Sequence, residues 1–220
     1  PRSTLFPYTT LFRSKRQFLN RLNGALVKRG VIDVLRKGIK VYPANLVMFY
    51  MLPRAKNASS EAKFAQNIFS VTRQLRYSSD AGRLALDLCV FINGLPVITF
   101  ELKNSLTKQC TDDAVQQYKN DRDPRETLFS FRRTLVHFAV DDQTVKFCTR
   151  LAGKASWFLP FDKGWNDGAG NPPNSDGIKT DYLWKDILTK RKLARILENY
   201  AQVVEETDEE PKKTTVKQIF

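Results

Sequence analysis

Two acids and an amine stand inside runs that are otherwise apolar. Asp87 opens "DLCVFIN", and Glu101 and Lys103 close "LPVITFELKNS". The Asn93-Gly94 pair between the runs predicts a β-hairpin, with strands at about 83–93 and 96–103. Side chains alternate along a strand, so Glu101 and Lys103 share a face with Thr99 and Val97, while Ile98, Phe100 and Leu102 point the other way into a core. Asp87 reaches that first face only under one condition. A two-residue turn pairs Ile92 with Leu95 and sets Asp87 against Phe100, on the wrong side. A three-residue loop, or one bulge, sets Asp87 against Glu101. With that condition met, two carboxylates face each other beside an ammonium. Such a pair repels unless a cation lies between them. Magnesium suits it, since it takes one or two carboxylates, waters and a phosphate oxygen. Lys103 can then orient a water or steady charge on a phosphate. That is chemistry for hydrolysing a phosphodiester. The same residues also read as a structural charge pair on an edge strand, and spacing alone does not separate the two.

The surrounding elements have to position this hairpin. Phe18, Leu19, Leu22, Leu26, Val27 and Val31 recur at the helical period, predicting a helix from Lys15 to about Lys37 that Gly30 or Gly38 interrupts or ends. Pro43 and Pro53 mark turns. "EAKFAQNIF" is a short helix with Ser59 or Ser60 as its cap, and "SVTRQLRYS" alternates as a strand. Beyond the hairpin, Thr111 is expected to cap a helix from Asp112 to about Asn120. "RRTLVHFAVDDQTVKFCTRL" reads as a second hairpin around Asp141–Gln143. "DKGWNDGAGNPPNSDG" is a long loop facing a substrate or a subunit, or else inert, and "DYLWKDILTKRKLARILENYAQVV" reads as one amphipathic helix. The order implies an α/β fold, a mixed sheet flanked by helices.

The chain has 220 residues and a formal net charge of +13, which favours a polyanionic partner, nucleic acid above all. No apolar run approaches the roughly 18 to 20 residues of a membrane span. Cys89, Cys110 and Cys148 cannot all pair and lack metal-knuckle spacing, so free thiols in a reducing cytoplasm are expected. The single histidine, His137, leaves no second imidazole for a zinc site or triad and reads as a packed residue, as do Trp157, Trp165 and Trp184. Lys119, Arg122, Arg125, Arg132 and Arg133 are candidates for phosphate contact or for a solvated basic surface. "GAGNPPN" lacks the lysine of a nucleotide cradle. Residues 1–14, "PRSTLFPYTTLFRS", show no helical or strand periodicity. They resemble a translated sequencing adapter and are set aside from fold reasoning. Without them the charge is +11, and the remaining chain reads as a fragment.

Asp87 followed by Glu101-Leu102-Lys103 has the pattern of the PD-(D/E)xK nuclease superfamily. Together with "AQNIFSVTRQLRYS", "AVQQYKNDRDP", "LVHFAVDD" and "GAGNPPNSDGIKTDYLW", it resembles the N-terminal endonuclease region of type I restriction-modification R subunits (HsdR), over about residues 60–200. The resemblance implies a restriction-endonuclease-like core at 59–202, after an N-terminal helical segment at 15–58. It also implies a charged linker at 203–220 leading to a helicase-like motor, where ATP would bind. By the same resemblance Asp87 and Glu101 are magnesium ligands and Lys103 is the catalytic lysine. Gln117 would be the glutamine of the family's Gln-x-x-x-Tyr element. Four residues beyond Gln117 stands Asp121 rather than tyrosine. Tyr118 is adjacent instead, and Gln116 with Asn120 competes for the role. The expected partners are double-stranded DNA, cut with little sequence preference, and the modification and specificity subunits of a phage-defence complex. A non-catalytic DNA-binding or docking domain of the same fold, and a repair nuclease of the superfamily, are the alternatives.

Overall fold

A computed structural model describes residues 8–53, 57–78, 84–208 and 213–220. Helix α1 spans Tyr8–Lys37, so its backbone runs through residues 8–14 of the segment set aside in the sequence; residues 1–7 lie outside the described residues. Gly30 breaks the helix with φ 79°. There the Val31 N–H donates to the Arg132 carbonyl at 2.8 Å, so a contact across the fold replaces a helical bond. A Cβ at Gly30 would come within 2.8 Å of the Arg132 Cβ, a second reason for glycine. The second half of α1 buries Val31, Ile32, Val34 and Leu35, whereas Leu19 and Val27 of the expected apolar face are exposed.

Strands β1 (Ile39–Val41) and β2 (Ala44–Leu46) form a small hairpin where only turn signals had been read. Helix α2 (Ala58–Phe64) follows, capped by Asn57 rather than by Ser59 or Ser60; the Asn57 side chain accepts the Ser60 N–H. The main sheet has six strands in sequence order: β3 (Phe69–Arg76), β4 (Ala85–Ile92), β5 (Leu95–Leu102), β6 (Val136–Val140), β7 (Val145–Cys148) and β8 (Leu159–Pro160). Only β5 and β6 pair in parallel, because helix α3 (Thr111–Asp121) carries the chain back between them. Cys110, not Thr111, occupies the α3 cap position. Its N–H donates to Asp113, while Thr111 is buried against Thr144.

Both faces of β5 and β6 are covered, so their residues are apolar in runs rather than in alternation. On one face Ile98, Phe100, Val136 and Phe138 pack with Val34 and Leu35 of α1 and with Leu183, Leu193 and Leu197. On the other, Cys89 and Ala139 lie under Ala114, Val115 and Tyr118 of α3. The molecule is therefore a mixed sheet between helical layers. Each large side chain withdrawn from water contributes about 1.5–3 kcal/mol to it.

The expected last helix is divided. Leu183–Ile187 is a wide π-type turn, Thr189 adopts an extended conformation, and α4 (Lys190–Arg195) starts anew from it before a second π-type turn at Ile196–Tyr200. At Thr189 the carbonyl accepts the Leu193 N–H, the first bond of α4, while the hydroxyl donates back to the Asp186 carbonyl and leaves the first turn without a side-chain cap. The stretch read as a charged linker instead contains an antiparallel hairpin of β9 (Gln202–Asp208) and β10 (Lys213–Ile219). Its end is docked. Gln218 donates to the Thr134 and Leu135 carbonyls, and Phe220 lies 5.6 Å from the Phe138 ring.

Candidate active site

The hairpin of β4 and β5 turns tightly at Asn93 (φ 49°) and Gly94 (φ 81°), the left-handed pair that an Asn-Gly turn requires. Ile92 therefore faces Leu95, and Phe91 faces Pro96. A bulge then intervenes. Val90 faces Ile98, so Val97 is the extra residue, and the register continues through Cys89–Thr99 and Leu88–Phe100. The next step of that ladder sets Asp87 opposite Glu101. The short turn and the shared face coexist because of this one bulge.

Glu101 is 0 % exposed. Its Oε1 accepts a 2.6 Å bond from Nε of Arg122, while Oε2 is buried without a hydrogen-bond partner. Burial pushes the Glu101 carboxyl up to about 7, against the lowering effect of Arg122, and the charge of Asp87 pushes it further in the same direction. Asp87 is half-buried. Its Oδ2 accepts the Leu102 N–H at 2.8 Å and its Oδ1 accepts Nε2 of Gln74 at 3.2 Å. Lys103 is anchored by its own N–H on the Val140 carbonyl, and its Nζ donates to Oε1 of Gln117 at 2.7 Å. Asp87, Glu101, Lys103 and Gln117 thus lie together, on β4, the end of β5 and α3.

Helical phase separates Gln117 from its neighbours. Gln116 and Asn120 are exposed on α3 and face each other. Tyr118 is fully buried, its hydroxyl on Thr99 Oγ1 at 2.9 Å, so it belongs to the packing beneath the sheet and not to the site. His137 lies in the same buried chain, between Thr99 and Thr134, and burial lowers its pKa to about 3. Burial pushes the Cys89 thiol up to about 12, which removes it as a nucleophile.

Arg122 is the main correction at this site. The sequence suggests phosphate contact or a solvated surface for it, but only 4 % of its side chain is exposed. Arg125 is exposed and paired with Asp123, Arg133 reaches Asn23, and Arg132 lies over Phe131. Trp157 is 77 % exposed, contrary to the packed position expected, whereas Trp184 packs tilted against Phe100, with ring centres 5.2 Å apart. The long loop is pinned by buried Asn171, which donates to the Gln143 carbonyl and to Asp162.

Sequence reading also missed Gln74. It sits at φ 49° in the middle of β3, at the one step of that ladder that does not pair, and its side chain bends onto Asp87. A left-handed non-glycine inside a strand is sterically costly and marks a position under constraint. No alternation pattern signals it. A cleft of about 420 Å³ adjoins the site, lined by Leu102, Lys103, Asn104, Ser105, Leu106 and Trp184. A larger groove of about 750 Å³ lies elsewhere, between α1 and the β1–β2 hairpin, and carries no carboxylate pair.

The family described as type I restriction enzyme R protein N terminus matches residues 9–156. The chain belongs to that family. The match covers α1 and the whole of the site, from β3 through α3 to β7. Among curated proteins no match to the sequence was found. As an R-protein N-terminal region the chain is part of a restriction enzyme, for which DNA is the substrate class. No helix among the described residues of this R protein is long and apolar enough to cross a membrane.

The residues fit a hard divalent cation. Among the described residues no group of three or more His, Cys, Asp and Glu side chains gathers. Two acids, one of them with a buried oxygen lacking a partner, suit magnesium, which takes few protein ligands and completes its shell with water and phosphate.

Proposed function

We propose that this R-protein region is the magnesium-dependent DNA endonuclease of a type I restriction enzyme. The observation that carries the reading is the bulge at Val97, which aligns Asp87 with Glu101 while the Oε2 of Glu101 stays unpartnered. Asp87 and Glu101 would hold the cation. When bound, it supplies positive charge against the scissile phosphate and makes water a better nucleophile. Lys103 acts beside them. Its ammonium is held by Gln117, so its charge and donors are arranged before the reaction. Gln74 and the Leu102 N–H fix the Asp87 carboxylate, leaving it little freedom to turn away. None of these groups reads a base, so sequence choice would fall to other subunits, with ATP-driven translocation supplied by the motor of the whole enzyme.

One observation favours a second reading, a non-catalytic DNA-binding domain. Arg122 already neutralises Glu101, and a buried ion pair can be purely structural. The two separate in the complex rebuilt with motor, modification and specificity subunits. Plasmid cleavage in magnesium should be lost in Lys103→Ala while ATP-driven translocation persists. Cleavage at the native rate would leave the second reading standing.

A further inference from the structure

Arg122 holds one oxygen of Glu101 and leaves the other as the freer ligand for a cation. Nε of Arg122 donates to Glu101 Oε1 at 2.6 Å, Nη1 to the Tyr77 hydroxyl at 3.0 Å and Nη2 to the Ala85 carbonyl at 3.0 Å. The guanidinium also lies over the Tyr77 ring, 5.5 Å from its centre. Every nitrogen of the planar fork is engaged, each to a different stretch of chain, so the group cannot swing off Glu101 without breaking three bonds. Oε2 remains, buried and unpartnered.

Coordination chemistry gives this a consequence. Calcium accepts a carboxylate through both oxygens in a loose shell of six to eight ligands. Magnesium demands a near-octahedral shell in which each carboxylate gives one oxygen. We infer that Arg122 is a cation-selectivity residue: by occupying Oε1 it confines Glu101 to single-oxygen coordination and so favours magnesium over calcium. It acts through Glu101 and is a positioning residue, not a catalytic one. The inference rests on the proposed role of Asp87 and Glu101 as cation ligands.

The test is calorimetric titration of the full chain, without DNA, with Mg²⁺ alone and Ca²⁺ alone. Native protein is compared with Arg122→Met and Arg122→Lys. Loss of a positive charge strengthens both cations together, and loosened packing weakens both, so only the ratio reports the mode of coordination. In Arg122→Met the calcium-to-magnesium affinity ratio should rise about tenfold as Oε1 becomes free to chelate. Arg122→Lys, which keeps a donor on that oxygen, should return the ratio towards the native value. Binding with an unchanged ratio in Arg122→Met overturns the selectivity role but not the site. Heats that are absent in native protein, or unaltered by Asp87→Asn with Glu101→Gln, overturn the site itself. If Arg122→Met does not fold, infrared spectra of native protein decide. Magnesium should produce the wide carboxylate splitting of one-oxygen coordination, absent from Glu101→Gln, and a narrow two-oxygen splitting overturns the inference.

Discussion

Lys103 and Gln117 form the most direct test at the level of single residues. The ammonium–amide bond aims Nζ, so the two side chains should fail differently. Lys103→Ala removes the donor and should lower the cleavage rate about 10²-fold or more, as loss of a preorganised donor does elsewhere. Gln117→Ala leaves the charge but frees its position. It should give a smaller loss, with binding of DNA unchanged by gel shift. Equal losses would mean the amide does more than aim the lysine. His137 gives an independent prediction about stability. Burial lowers its pKa to about 3 in the fold, while the unfolded chain keeps the ordinary value near 6.5. Between those values the unfolded state binds the extra proton. The contribution is therefore fully present above pH 6.5 and is lost as pH falls towards 3, by about 1.4 kcal/mol per pH unit at most. Urea melts of native protein and His137→Asn at pH 7 and pH 5 should show the native chain losing more stability on acidification. A parallel loss in both would remove His137 as the cause.

At the scale of elements, the site depends on a register, and the register passes through one extra residue. Deleting Val97 removes the bulge but keeps the register, since Ile92 still faces Leu95, Val90 still faces Ile98 and Asp87 still falls opposite Glu101. The expected outcome is retained cleavage in a chain that still folds into a sheet by circular dichroism; lost cleavage would show that the site needs the bulge itself and not only the alignment of the carboxylates. Gly94→Val probes the turn without touching the site. No atom lies within 4 Å of the added Cβ, but φ is +81°. The cost is backbone strain alone, about 1–3 kcal/mol in a denaturant melt. These elements also show what the sequence carried and what it did not. The hairpin, β3, α3 and the β6–β7 pair are local patterns of apolar spacing and turn residues, and they were legible. The bulge was legible only as a condition, since a two-residue turn and a carboxylate pair cannot coexist without it. Arg122 was not legible, because a basic residue just beyond a helix looks solvated until the fold closes over it. Nor was the break at Thr189, where the backbone turns extended across an amphipathic pattern that runs straight through it.

For the molecule as a whole, charge is the property that local motifs do not describe. A net charge of +13 on 220 residues suits contact with the phosphate backbone of a DNA substrate. Such binding releases condensed cations, so it should weaken steeply with salt and hardly at all with sequence. For about six phosphate contacts, the association constant for a duplex should fall about 10³-fold between 50 and 200 mM salt, equally for unrelated sequences. Fluorescence anisotropy with two duplexes of different composition, in EDTA so that no cleavage intervenes, measures both properties together. Arg125 is the residue to change first. It is exposed at the end of the segment that carries Gln117 and Arg122, and its pairing with Asp123 is a surface contact that costs little to exchange for phosphate. Arg125→Ala should weaken every duplex alike and reduce the salt slope by about one unit. A slope near zero in the native chain would mean that the positive charge serves solubility or subunit contact instead. DNA would then reach Lys103 only when other subunits deliver it.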